Sequence, residues 1–202
     1  MIEYKNRSRQ TYYLYEGKTK TGKPKYFFSM KTSVKTEITS VESIPDGYEI
    51  YENPNAQVFL RKIPVQIILP EEIEIVKFWL QKYLKPIDFL LDVKGKNIII
   101  YLCDQNIDNM MKATEIMTME IITFANIPDF VRTKEPFLFG LNYSPMMQFV
   151  LEDVETREFT VERWCFRGFI DGWIPLNNST DLKKLVQTYG AHLGKESFYE
   201  LM

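Results

Sequence analysis

The sequence predicts an α+β fold: an N-terminal antiparallel β-meander followed by a mixed region of β-hairpins and about three helices. Three observations lead there. Aromatic, strand-forming runs alternate with turn residues over positions 1–62. A proline-bracketed segment at 69–86 repeats its apolar residues at helical spacing. Beyond it, hairpin and helix patterns succeed one another without the strand–helix alternation of a parallel sheet.

The elements follow in chain order. T-Y-Y-L-Y (11–15) and K-Y-F-F-S-M (25–30) flank E-G-K-T-K-T-G-K-P (16–24), G-Y-E-I-Y (47–51) includes the end of the turn signal P-D-G, and Q-V-F-L-R-K (57–62) follows N-P-N (53–55). These strands make residues 1–62 a basic, aromatic-rich antiparallel β-region, with residues 63–202 as an acidic α+β region; one continuous domain stays open as the alternative. Ile73, Val76, Leu80, Tyr83 and Leu84 share a helical face, and Glu71 and Glu72 sit where the helix dipole favours negative charge, so a helix is expected over 71–84. I-D-F-L-L-D-V (87–93) and N-I-I-I-Y-L-C (97–103) around K-G-K read as a hairpin. Met110, Ala113, Met117, Ile121 and Phe124 form a stripe that predicts a second helix within 107–124. M-Q-F-V-L-E-D (147–153) and R-E-F-T-V-E-R-W-C-F (157–166) predict another hairpin. Ser179 or Thr180 is expected to cap a last helix through Tyr189, with a terminal turn in E-S-F-Y-E-L-M.

Composition bounds the class. With 45% apolar and 26% charged residues over 202 positions, the chain is an ordinary globular protein with a core of its own. Cys103 and Cys165 each lie in an apolar stretch, with neither a disulfide framework nor a zinc spacing, which suits thiols in a reducing compartment. The N-terminal ten residues lack the apolar run of a signal peptide, and no stretch approaches the roughly 20 apolar residues of a membrane helix. A cytoplasmic protein that does not enter a membrane is expected. Charge is uneven: residues 1–36 hold nine Lys/Arg against two Glu, whereas the remainder holds sixteen against 25 Asp/Glu. That asymmetry points to an anionic partner for the N-terminal segment, or to its docking on the acidic part within one chain or across a homo-oligomer.

Residues 16–24 contain Gly17, Gly22 and Lys23 at the spacing of a phosphate-binding loop, G-x-x-x-x-G-K. Such a loop needs a Ser or Thr after the lysine to hold Mg²⁺ and a helix whose amides face the phosphates. Here Pro24 takes that place and a strand former follows, so the stretch reads as a hairpin turn. A basic turn can still bind anions. Arg7, Arg9, Lys18, Lys20, Lys23 and Lys25, interleaved with tyrosines and phenylalanines, combine phosphate neutralisation with base stacking, the two ingredients of single-strand recognition. Against this stands the plain reading that strand aromatics are core and lysines guard an edge.

Asp104, Asn106, Asp108 and Glu115 match positions 1, 3, 5 and 12 of a calcium loop. Asn109 replaces its turn glycine and Lys112 brings a positive charge, so helix capping is the reading adopted; no metal and no cofactor is expected. His192 is the only histidine, and no nucleophile motif accompanies it. Paired carboxylates in the acidic region would be the basis of an enzyme, but the sequence does not nominate which two converge. Arg163, Trp164, Arg167, Asp171 and Trp173 crowd into R-W-C-F-R-G-F-I-D-G-W-I-P, a mix favoured in interfaces and ligand sites. Its plain alternative is a strand end with a tryptophan filling the core.

The combination of Y-Y-L-Y-E-G-K-T-K-T-G-K-P-K-Y-F-F-S, G-Y-E-I-Y-E-N-P-N-A-Q-V-F-L-R-K and L-G-K-E-S-F-Y-E-L-M resembles a family of bacterial cytosolic proteins with no assigned function. The resemblance spans most of the chain and implies a bacterial cytosolic protein, without activity or ligand. The functional expectation is a non-enzymatic binding or interaction protein, with nucleic-acid (polyanion) binding through the hairpin 11–30 and a carboxylate enzyme as alternatives.

Overall fold

The computed structural model of the chain describes residues 1–31, 38–85, 88–105, 140–167 and 170–201. They fall into two compact units, Met1–Ile63 with Gln105–Leu141, and Pro64–Asp104 with Asn142–Met202.

In the first unit, β2 (Thr11–Lys18) is the organising strand. It pairs antiparallel with β3 (Pro24–Ser29) on one side, and with the short β1 (Glu3–Lys5) and β4 (Thr39–Ser40) on the other. A separate hairpin joins β5 (Tyr48–Glu52) to β6 (Val58–Lys62). The expected single meander is therefore two sheets: among the described residues β3 is bonded to β2 alone, and β5 pairs with β6 rather than with the edge of β3.

The three hairpin turns of this unit are one design used three times. In Asn6–Gln10, Thr19–Lys23 and Asn53–Gln57 the first residue's backbone N–H donates to the fifth residue's carbonyl, at 3.0, 2.8 and 3.0 Å. The first residue's side-chain oxygen accepts the fifth residue's N–H in return, at 2.7, 3.0 and 3.0 Å. The fourth residue is left-handed each time: Arg9 at φ 54°, Gly22 at φ 78° and Ala56 at φ 59°. This is the three-residue loop that joins strands through a type I turn and one left-handed residue.

In the second unit a five-stranded antiparallel meander runs β7 (Phe89–Lys94), β8 (Asn97–Cys103), β9 (Tyr143–Asp153), β10 (Glu158–Arg167) and β11 (Ile170–Ser179), each beside the next. Pleating puts Ile98, Ile100, Met147, Phe149, Leu151, Phe159 and Val161 on one face, where they form the core with Val76 and Leu80 of α1 (Pro70–Leu80) and Leu182, Leu185 and Val186 of α2 (Leu182–Gly190). The two helices pack closely: a Cβ on Gly190 would stand 3.1 Å from Leu80 Cδ2.

The α+β class holds, and the structure is mostly antiparallel sheet. Among the described residues there are two α-helices rather than about three; the expected helix within 107–124 lies outside the described residues, and the chain's last turn is a 3-10 helix, Glu196–Glu200. The first helix ends at Leu80, not at 84. The last is capped by Asp181, whose carboxylate accepts from Lys184 N at 3.0 Å, rather than by Ser179 or Thr180; Ser179 Oγ instead accepts from Asp181 N at 3.0 Å. Strand β11 replaces the irregular strand end expected after Trp164. Among the described residues no helix is long and apolar enough to cross a membrane.

Candidate functional site

The stretch that imitates a phosphate loop is the tip of the β2–β3 hairpin. Lys18 and Lys25 close the two strands, and Lys20 and Lys23 lie in the turn between them. The turn is held by Thr19: its hydroxyl accepts from Lys23 N at 3.0 Å and shares a hydrogen bond with Thr21 Oγ1 at 3.0 Å. Backbone and threonine supply every one of these bonds, so the lysine side chains are not spent on folding the turn. All four are exposed, and among the described residues none of them forms an ion pair.

The two arginines expected beside them are placed differently. Arg7 Nε donates to Glu52 Oε1 at 2.7 Å, and its Nη2 donates to the carbonyl of Asn53. It locks the first of the three turns to the third, supported by Asn6 Nδ2 donating to Ala56 O at 2.7 Å. Glu52 also accepts from Tyr4 Oη at 3.0 Å, and partial burial together with that bond pushes the Tyr4 phenol above its ordinary value. Arg9 is the left-handed residue of the first turn. Of the six cations, then, Lys18, Lys20, Lys23 and Lys25 are brought together at the tip, while Arg7 is committed to the fold.

Beside the tip, Gly17, Lys18, Lys25, Phe27 and Ile38 line a cleft of about 740 Å³. Gly17 pairs with Lys25 and Tyr15 with Phe27, so the bare glycine and the phenylalanine lie on one face of the sheet. The buried Tyr15 ring stands beside Phe27 at 6.0 Å and 30°, with its hydroxyl anchored on Lys31 O at 2.9 Å. Sequence reasoning missed this cleft.

The group around R-W-C-F-R is divided by the pleat of β10. Arg163 is buried, on the same face as Val161, and its Nε donates to Leu201 O at 2.7 Å. Trp164 lies on the opposite face beside its cross-strand partner Trp173, with rings edge to face at 5.1 Å and 83°. Phe166 continues that face and pairs with the exposed Asp171; Arg167 ends the strand opposite Ile170. Arg163 thus does not share a surface with the tryptophans.

Of the calcium-loop residues, Asp104 is described and exposed, whereas Asn106, Asp108 and Glu115 lie outside the described residues. Among the described residues no three His, Cys, Asp or Glu side chains gather as metal ligands would. His192 Nδ1 meets Ser197 Oγ at 2.8 Å. As for carboxylates, Asp92, Ile99, Gln148 and Glu162 form one row across four strands, which sets Asp92 about 14 Å from Glu162. Asp104 and Glu196 both line a second cleft of about 630 Å³, over an apolar floor that includes Met146 and Phe198.

Lys94 illustrates a committed cation in the second unit. Burial pulls its ammonium down, but the bonds to Asp92, 3.1 Å away, and to Tyr101 outweigh that and raise it above the ordinary lysine value. Compared with known proteins, the chain matches no family model, no curated protein and no solved structure.

Proposed function

We propose that this chain is a binding protein whose contact surface is the tip of the β2–β3 hairpin, and that its ligand is an anionic polymer. The observation that carries the reading is the contrast in how cations are used. Arg7 and Arg61 of the same unit hold Glu52 and Glu49 at 2.7 and 2.8 Å, whereas Lys18, Lys20, Lys23 and Lys25 stand exposed around a turn that is closed without them. Four like charges on one short hairpin repel one another and raise the local potential, which favours a partner that brings several negative charges at once.

Such binding releases condensed counterions, so its salt dependence counts the contacts. Four phosphates held on a single strand give a slope of about −2.8 in log K against log salt, or roughly fifty-fold weaker binding at 200 than at 50 mM. Fluorescence anisotropy of labelled single-stranded DNA and RNA, duplex DNA and heparin, titrated with the full chain at both salt concentrations, measures this. Steep weakening with salt, abolished when all four lysines become glutamate, is the expected result. Absence of binding to every polyanion at 50 mM salt would sink the proposal.

A further inference from the structure

The cleft beside the lysines contains a residue that the fold itself does not call for. Gly17 is the next-to-last residue of β2, still paired with Lys25, and glycine weakens a strand because it has no side chain to pack. Elsewhere in this unit glycine has a backbone reason: Gly22 and Gly47 both adopt φ 78°. Gly17 does not, since it is absent from the left-handed residues. Nor, among the described residues, does packing demand it, because a Cβ there would meet Phe27 Cε1 at 3.6 Å and Ile38 Cγ1 at 3.9 Å, ordinary contact distances. An alanine would fit. What a larger side chain at this position would do is fill the cleft and cover the Phe27 ring.

A strand glycine often marks a bulge, a bend or a place where a ligand or another backbone approaches closely, and β2 pairs with β3 here in unbroken register. The surroundings define what approaches. Among the described residues the lining comprises one aromatic ring, Phe27, with Tyr15 beside it, one aliphatic side chain, Ile38, and two lysines, Lys25 across from Gly17 and Lys18 at the strand end. The volume of about 740 Å³ lies within the range of about 300 to 1,000 Å³ typical of small-molecule clefts. A flat ring carrying phosphates on either side has this chemistry.

We propose that the cleft receives one unpaired nucleobase, stacked on Phe27, while Lys18 and Lys25 take the phosphates that flank it. The anionic polymer is then a single-stranded nucleic acid. This rests on the polyanion reading above and adds a base to it. A duplex keeps its bases stacked inside and cannot place one on Phe27 without opening. Among the described residues the cleft walls supply no side-chain acceptor and only lysine donors, so stacking rather than edge recognition holds the base, and all four bases are accepted to a similar degree.

The test separates base from phosphate. Anisotropy is measured for a labelled twelve-nucleotide thymidine strand and for an abasic strand of equal length, which retains the phosphates and lacks the bases. The unmodified chain is expected to bind the thymidine strand about ten-fold more tightly, the scale of one stacked base. Gly17→Leu, which plugs the cleft and leaves all four lysines, should reduce that ratio to near one while keeping affinity for the abasic strand and for heparin. Phe27→Leu, a second variant in case the first does not fold, should do the same. Equal affinity of the unmodified chain for the two strands would overturn the inference and leave the polyanion reading standing, as would a Gly17→Leu chain that keeps the full preference. Failure to bind any polyanion at 50 mM salt would overturn both.

Discussion

Two hairpins of this protein close in comparable ways and then use their charges in opposite ways. The turn of β9–β10 is supported by Asp153, whose Oδ1 accepts from Glu155 N at 2.7 Å and Thr156 N at 3.1 Å; the bonds from Thr156 and Glu155 hold the Asp153 carboxyl below its usual range. The turn of β2–β3 is supported by Thr19 in the same manner. Next to Asp153's turn, however, the basic residue is spent. Arg157, left-handed at φ 55°, donates from Nε to Glu72 Oε1 at 2.8 Å and from Nη2 to Glu72 Oε2, so the hairpin is pinned to the first turn of α1. Glu72 in turn accepts from Leu69 N at 2.8 Å and closes the helix N-terminus. Around Thr19's turn the four lysines form no ion pair among the described residues. Charge committed to a fold is recognised by its partners, and that is what separates Arg157 from these lysines.

The comparison breaks most visibly at Glu72. Glu72→Ala removes both carboxylate bonds of the Arg157 guanidinium, leaving it the Ile67 carbonyl at 3.3 Å, and takes from Leu69 N its acceptor. Removing one partner of a buried pair costs about 3 to 5 kcal/mol, and the lower figure applies because Arg157 retains 25% of its side-chain exposure. The chain's three tryptophans, Trp79, Trp164 and Trp173, all belong to the second unit, so urea unfolding followed by tryptophan fluorescence reports on it directly. An unchanged midpoint would mean that Arg157 is no more committed than the lysines.

Within the first unit, Arg7 and Glu52 provide the intermediate case. Arg7 keeps 41% of its side-chain exposure, so Glu52→Gln is expected to cost about 1 kcal/mol, the upper end for an exposed pair. A sharper readout is Tyr4, which donates to Glu52 and whose phenol is raised first by burial and then by that bond. The folded protein holds this proton more tightly than the unfolded chain does. The contribution is therefore complete below the unfolded value near pH 10 and is lost as pH rises through the higher folded value. Tyrosine-ring NMR should show Tyr4 titrating above the unfolded value near pH 10, and moving back toward it in Glu52→Gln. Titration of Tyr4 at the unfolded value in the unmodified protein would remove Glu52 from the committed class.

Much of this arrangement was legible along the chain, and the remainder was hidden for identifiable reasons. The G-K-T-K-T-G-K stretch could be read as a turn because Pro24 denies it a helix and Gly22 supplies the left-handed residue. The parallel N-R-S-R-Q and N-P-N-A-Q turns were also on the page, as an Asn and a Gln four apart, but Arg9 and Ala56 carry no sign of a left-handed backbone. Strand β11 escaped because Pro175, Asn177 and Asn178 oppose strand formation; an edge strand bonded to β10 alone tolerates them. Ser179, Thr180 and Asp181 are three consecutive candidate caps, and only the geometry shows which carboxyl or hydroxyl reaches the helix amides. The cleft was beyond sequence reasoning, since it exists because Ile38 returns beside Gly17 from a part of the chain 21 positions away.

The smallest expected effect concerns the tip itself. Replacing Lys18, Lys20, Lys23 and Lys25 by glutamate exchanges four like charges for four like charges, so their mutual repulsion is unchanged in magnitude. Any difference in stability then measures only what the lysines do for the rest of the protein. If Thr19 and Gly22 hold the turn without them, the unfolding free energy of the first unit should stay within about 0.5 kcal/mol. Hydrogen exchange at the Leu14 amide, which donates to Ile2 O at 3.1 Å, follows that unit where tryptophan is silent. A loss above about 1 kcal/mol, beyond what uncommitted surface residues give, would show that the four lysines serve the fold as Arg157 does. Unchanged exchange alongside lost anion binding would leave the ligand as the reason for keeping four repelling charges on one turn.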